Sequence, residues 1–235
     1  MIVYGRNPVR EALRGRRRVL RVWATAGAAR EDWLAELEIE RADAAELERL
    51  CGSPEHQGVC AQASAYPYAD AASLLEADDA LVVCLDEVQD PHNLGAVCRV
   101  AESAGVAGLV IPARRSAEVT PAVCKASAGA VEHLPVARVP NLANWLGEAK
   151  AVSAWVYGAA VVREAVPYER PDYRGRVVLV LGSEGRGLRP RVAAACDQLV
   201  ALPQRGRVAS LNVATAAAAL VYGILHFRRS LDGAT

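Results

Sequence analysis

The chain has 235 residues, 27 Lys and Arg against 27 Asp and Glu, and 52% hydrophobic residues. This is enough apolar material for a sizeable core, either in one large α/β domain or in a small domain beside a medium one. With aromatics at 5%, that core should be built from Ala, Val and Leu. The longest apolar runs, such as 177–181 and 216–221, are too short to span a bilayer. Arg6 and Arg10 interrupt any signal-like opening, so no membrane association and a cytoplasmic location are expected. None of the six cysteines forms a C-x-x-C pair, and the four histidines are scattered. Reduced, packed thiols and no metal site are therefore expected.

Charge is unevenly spread. Residues 1–30 hold eight arginines and one acid, Glu11, whereas residues 31–50 hold eight acids and only Arg41 and Arg49. Within the basic stretch, Arg14, Arg16, Arg17, Arg18 and Arg21 could hold phosphates, each contact adding salt-dependent affinity. The same cluster could equally be a solvated helix end.

Taken in chain order, residues 1–65 read as a small α/β unit. It has a helix near 8–14, a strand at 19–24, an acidic helix at 31–38, a second helix at 44–50 and a strand at 58–63. Residues 66–79, with Pro67 and several acids but weak periodicity, read as a linker. From Ala80 strands and helices alternate through 235. Strands are expected at 81–88, 108–112, 131–135, 154–159, 177–182 and 198–202. Helices are expected at 93–104 (stopped by Gly105), 122–128, 142–149, 190–196 and 212–229. Continuous apolar runs such as 81–85 suit parallel strands buried on both faces. The expected fold class is an open α/β sheet binding ligands at the carboxyl ends of its strands.

Residues 179–213 hold two glycine-bearing loops entered from apolar runs. The first, Gly182-Ser-Glu-Gly-Arg-Gly187, has Leu188-Arg189 where a phosphate loop needs Lys-Ser/Thr, and it lacks the dinucleotide fingerprint. Nucleoside triphosphates and NAD are thus weak readings. Polar residues sit in these turns: Glu184 in the first, Ser210 and Asn212 in the second.

Three islands together are more specific. They are Asn93-Leu-Gly95-Ala-Val-Cys-Arg99 with Gly105, then Leu181-Gly182-Ser183-Glu184-Gly185-Arg186-Gly187-Leu188, then Pro203-Gln-Arg-Gly206-Arg-Val-Ala-Ser210-Leu211-Asn212-Val213-Ala214. In order and spacing they resemble the three motifs of the SpoU family of RNA ribose 2′-O-methyltransferases in the SPOUT superfamily. At the amino end, Val3-Tyr-Gly-Arg-Asn-Pro-Val-Arg-Glu-Ala-Leu13 and His56-Gln-Gly-Val59 look like the RNA-binding extension of the 23S rRNA guanosine-2′-O-methyltransferase branch.

The resemblance implies a SPOUT-type parallel sheet with a carboxyl-terminal trefoil knot, preceded by a small L30e-like RNA-binding domain. It also implies a homodimer with the active site near the interface. The implied cofactor is S-adenosylmethionine, contacted in the knot at Gly182, Leu202 and Leu211, with methyl transfer to a guanosine ribose 2′-hydroxyl of 23S rRNA. A tRNA substrate and a non-catalytic ribosome-assembly role are the alternatives. The implied catalytic residues are Asn93, Arg99, Glu184, Ser210 and Asn212. The family assigns the base to Arg99, but an arginine is held permanently protonated, and clamping a phosphate or orienting the ribose suits it equally. Asn93 is expected to cap its helix, contact the ribose, or both, and Glu184 to orient Arg99 or an RNA hydroxyl unless it is a solvated acid. Ser210 and Asn212 either line the site or only cap the last helix, and Arg205 and Arg207 touch phosphates or lie in an exposed loop.

Overall fold

The computed structural model describes residues 1–207 and 210–232, with side chains through Arg229. Val208 and Ala209 of the third island lie outside the described residues.

The amino-terminal unit contains β1 (Ile2–Tyr4), α1 (Arg6–Arg14), β2 (Val19–Ala24), β3 (Glu40–Arg41), α2 (Ala44–Cys51) and β4 (Val59–Ala63). The sheet order is β1-β4-β2-β3, with β4 antiparallel to both β1 and β2. Alternation along the strands sends Val3, Val22, Ala24, Val59 and Ala61 to the face that packs with Val9 of α1. Trp23 and Cys60 turn to the other face, against Leu47 of α2. The two helices therefore lie on opposite sides of this sheet.

The second unit comprises β5 (Leu81–Asp86), α3 (Pro91–Ser103), β6 (Gly108–Pro112), α4 (Pro121–Ala126), β7 (Val136–Val139) and α5 (Leu142–Ala151). It continues with β8 (Trp155–Ala159), β9 (Val166–Pro167), β10 (Val177–Gly182), α6 (Pro190–Ala195), β11 (Gln198–Ala201) and α7 (Val213–Asp232). Its seven strands are all parallel, in the order β7-β6-β5-β10-β8-β11-β9. One apolar layer joins the sheet to α3, α4 and α7, and the other joins it to α5 and α6. Both faces are covered, so every residue of β5 and β6 is buried. The chain moves outward from β5 through β6 to β7, then crosses to β8 and inserts β10 beside β5. The carboxyl ends of β5 and β10 thus flank a topological switch point, where open α/β sheets bind ligands.

Two expected elements differ. The acidic stretch 31–38 is not an α-helix but carries a single 3₁₀ turn at Asp32–Leu34. Asp32, Glu36 and Glu40 would repeat like charges every four residues on a helix, and Leu34 instead turns into the core. The strand expected at 131–135 is a 3₁₀ turn at Ala130–Glu132 entered through Gly129 at φ 90°, and the strand starts at Val136. The short β1, β3 and β9 were not expected.

Residues 66–79 are packed rather than free. The Tyr66 hydroxyl donates to the carbonyls of Val131 (3.1 Å) and Leu134 (2.9 Å), Ala69 bridges to Ala137, and Leu74 and Leu75 are buried. The two units are joined more tightly still by Arg17 and Glu132, whose side chains are 1% and 0% exposed. Arg17 Nε donates to Glu132 Oε2 at 2.8 Å and its Nη2 to Oε1. Around this pair, Glu11 meets His133 Nε2 at 2.8 Å, Arg16 donates to the His133 carbonyl, and Lys125 Nζ donates to the Glu55 carbonyl at 2.7 Å.

No helix among the described residues is long and apolar enough to cross a membrane. Among the same residues no group of three His, Cys, Asp or Glu could hold a metal ion. Burial pushes the thiols of Cys98, Cys124 and Cys196 up to about 12, so they stay protonated at neutral pH.

Candidate active site

The first glycine loop leaves the end of β10 and closes on itself. Gly187 N–H donates to the Ser183 carbonyl at 2.9 Å, with Gly185 at φ 78° and Gly187 at φ 66°. The fold is tight enough that a Cβ on Gly182 would lie 2.1 Å from the Gly187 carbonyl carbon. Only glycine fits there.

The far end of the loop is tied to the sheet by Asp86, the last residue of β5. This fully buried carboxylate accepts from Arg189 N–H at 2.8 Å and from Arg189 Nε at 2.7 Å. The hydrogen bond to Asp86 in turn raises the Arg189 pKa above its usual value. Beside it, Glu87 is buried and holds φ 58°, its Oε1 lying 3.6 Å from both Arg115 and Arg189. Sequence reasoning missed Asp86 and Arg189, although an acid closing an all-apolar strand is a signal that a partner must exist.

Between this loop, the strand ends and the start of α7 lies a cavity of about 450 Å³. Gly182, Leu202 and Leu211 all line it, as does Ser210. Its walls are mainly apolar side chains, including Leu181, Leu188 and Val200, interrupted by the polar backbone of the loop. A second recess of about 340 Å³ adjoins it, lined by Glu87, Gln89, Asp90, Asn93 and Arg186 among others, and the two share Ser183 and Glu184.

Three of the five expected catalytic residues meet where the recesses join. Asn93 enters on the first turn of α3, whose start is fixed by Asp90, accepting from His92 N–H at 2.9 Å, and by Pro91. Asn93 Nδ2 donates to Glu184 Oε1 at 3.0 Å. Asn212 Nδ2 donates to the same oxygen at 2.6 Å and to Asn93 Oδ1 at 2.9 Å, and Val213 N–H adds a longer contact to Glu184 Oε1 at 3.4 Å. Asn212 Oδ1 also caps α7 by accepting from Ala214 and Thr215 N–H. Glu184 is exposed, and its contacts all fall on Oε1, leaving Oε2 without a hydrogen bond among the described residues.

The remaining expected residues are placed differently. Ser210 lines the cavity but is outside the hydrogen-bonded cluster. Arg99 is exposed on α3 and makes no hydrogen bond or ion pair among the described residues. It is six residues beyond Asn93, so a 100° step per residue turns it off the Asn93 face, and Glu184 does not orient it within this chain. The basic cluster is also redistributed. Arg17 is buried against Glu132 and is unavailable to RNA, which corrects the phosphate-binding expectation for that residue. Arg16 reaches the His133 carbonyl, and Arg21 pairs with Glu40 through two 2.6 Å contacts while stacking on Trp23. Arg14 keeps a loose 3.5 Å contact to Glu11, and Arg18 is exposed.

Comparison with known proteins accounts for this geometry. Residues 80–222 match the model of the SpoU rRNA methylase family, and residues 2–69 match the RNA 2′-O ribose methyltransferase substrate-binding model. The chain belongs to the SpoU rRNA methylase family. It is 37% identical over 239 residues to a Bacillus subtilis chain assigned to the TrmH family of tRNA/rRNA methyltransferases, covering 96% of this chain and 95% of that one. It is 40% identical over 191 residues to the 23S rRNA (guanosine-2′-O-)-methyltransferase RlmB of Acinetobacter baylyi, covering 79% and 77%. Among solved structures, the SpoU methyltransferase AviRb of Streptomyces viridochromogenes, in complex with its cofactor AdoMet, superposes with a TM-score of 0.81 at 25% identity, covering 98% of this chain and 91% of that one. The protein is an RNA methyltransferase of the SpoU family with a SPOUT-type α/β fold.

Proposed function

We propose that this SpoU-family enzyme transfers a methyl group from S-adenosylmethionine to a guanosine ribose 2′-hydroxyl of 23S rRNA. The observation that carries the reading is the Asn93–Glu184–Asn212 cluster at the mouth of the Gly182–Leu202–Leu211 cavity. The cavity suits a cofactor with a large apolar part and several hydrogen-bonding edges, and the AviRb complex and the RlmB relative support the choice of methyl donor and nucleotide. When bound, the cofactor supplies an electrophilic methyl on a sulfonium. The chain must then hold the ribose and take up the hydroxyl proton. In this reading Asn93 and Asn212, held by Glu184 Oε1, present the ribose-facing edge, and Glu184 Oε2 accepts the proton of the 2′-hydroxyl.

Methyl transfer from tritiated S-adenosylmethionine to unmodified 23S rRNA tests this directly, with 2′-O-methylguanosine as the expected product. Folded protein that binds the cofactor and yields no methylated nucleotide would falsify it. A tRNA arm in the same assay resolves the alternative substrate.

Gly182→Ala should weaken S-adenosylmethionine binding at least tenfold, measured calorimetrically, because the loop must open to admit the Cβ. We further read the enzyme as a homodimer with an L30e-like amino domain and a carboxyl-terminal knot. Arg99 then acts across the interface, since it is solvent-exposed and lies on α3, which packs beside α7 with its half-exposed Tyr222. Arg99→Ala is expected to abolish turnover with cofactor affinity nearly kept. Activity within a few-fold of wild type would remove Arg99 from both catalysis and essential RNA clamping. Such a result beside intact RNA binding would not rescue a purely non-catalytic role, because the 23S assay decides that separately.

A further inference from the structure

We infer that the outer face of α1, carrying Arg6, Arg10 and Arg14, is a rail for the phosphate backbone of the RNA substrate. The inference rests on the RNA-methyltransferase reading above and names the surface by which the amino domain holds its substrate.

The three arginines recur every four residues, and all are exposed, while Pro8, Val9 and Ala12 bury the opposite face of the helix. A rise of 1.5 Å per residue sets their anchors about 6 Å apart, close to the phosphate step along one RNA strand. Arg10 makes no hydrogen bond or ion pair among the described residues. Arg6 meets Glu31 at 3.0 Å and Arg14 meets Glu11 at 3.5 Å, with the arginines 52% and 54% exposed. Exposed pairs of this kind are weak and can exchange for phosphate contacts. Three like charges in a row on one helix are mutually unfavourable, which an anionic partner relieves.

α2 and its cap are charged in the opposite sense. α2 and its cap contribute Asp43, Glu46 and Glu48 on the far side of the amino-terminal sheet. The two helices on opposite sides of the sheet thus differ in charge, α1 carrying three arginines against Glu11, and α2 with its cap carrying Asp43, Glu46 and Glu48 against Arg49. The basic side is also the one that touches the methyltransferase unit. α1 packs on α4 and the Ala130–Glu132 turn, and these pack on α3, the helix that presents Asn93. Arg17–Glu132 locks that contact, so the rail keeps a fixed position relative to the site.

The test uses the full chain and an unmethylated 23S rRNA transcript, with affinity measured over a range of monovalent salt. Arg10→Gln/Arg14→Gln keeps good helix formers on α1 and should weaken binding about tenfold or more. The slope of log affinity against log salt should fall by roughly 0.7 to 0.9 for each lost phosphate contact, with a raised KM for RNA and unchanged S-adenosylmethionine affinity. The control Arg49→Gln, on α2, should leave the slope and the activity unchanged. An unaltered slope in the first variant, or an equal loss in the control, overturns the rail. Failure of the activity reading is separate, because it appears as absent methyl transfer by the unmodified protein while the salt slopes remain measurable.

Discussion

Glu184→Gln should lower kcat for methyl transfer by about a hundredfold or more while leaving S-adenosylmethionine binding within threefold. The substitution separates the two oxygens of this side chain. Oε1 is occupied by Asn93, Asn212 and Val213 N–H, and a glutamine carbonyl can accept those same donors. Oε2 has no such partner, and the amide that replaces it donates rather than accepts. The scaffold therefore survives while the proposed acceptor for the 2′-hydroxyl proton is lost, and a positioned base contributes on the order of 10² to 10⁴ in rate. Asn93→Ala provides the contrast. It removes a donor to Oε1 and a ribose-facing group but leaves the carboxylate, so it should raise the KM for RNA more than it lowers kcat. Single-turnover rates over a range of RNA concentrations measure both. If Glu184→Gln retains turnover within threefold, the carboxylate is a scaffold only and the proton leaves by another route.

Much of this site is legible in the linear chain because its chemistry is local to three short loops. Asn93 and Asn212 stand at helix starts, where a polar side chain between apolar runs already needs a reason, and Glu184 stands in a loop whose glycines announce a tight closure. The alternating apolar runs likewise give the parallel sheet, since strands covered on both faces need no polar residues. What the chain does not announce is pairing over long sequence distance. Arg17 looks like one more cation in a basic tract, and its partner Glu132 is 115 positions away. Asp86 and Arg189 are 103 apart, and nothing local reveals that the far end of the first glycine loop is tied to the end of β5. Arg99 illustrates the converse. Its place in a motif is plain, but a helical step of 100° per residue turns it away from Asn93, so membership of one motif does not guarantee one face.

The Arg17–Glu132 pair should be the largest single contributor to the docking of the two units. Arg17→Met or Glu132→Leu alone is expected to destabilise the protein by about 3–5 kcal/mol, the range for stranding one partner of a buried ion pair. Burial works against the Arg17 charge, but the hydrogen bond and attraction of Glu132 hold its pKa above the usual arginine value. The guanidinium also donates to Cys124 Sγ at 3.4 Å, Met1 Sδ at 3.2 Å and the Ser64 carbonyl at 3.4 Å, and lies 5.8 Å from the Tyr66 ring centre. With the arginine gone, Glu132 is left charged and unpaired; with the glutamate gone, the arginine is. The double variant Arg17→Met/Glu132→Leu removes both charges and should recover most of the loss, because the surroundings are largely apolar and the desolvation cost disappears. Urea unfolding followed by tryptophan fluorescence checks this, Trp23 and Trp33 reporting the amino-terminal unit and Trp145 and Trp155 the other. A single variant that loses docking alone would show two transitions in place of one. The same variants also separate structure from recognition: Arg17 is sealed from solvent, so the folded double variant should keep the full salt slope of RNA binding that Arg10→Gln/Arg14→Gln reduces. A reduced slope in the double variant would mean that the amino domain has shifted on the methyltransferase unit, carrying the arginines of α1 out of register with the site.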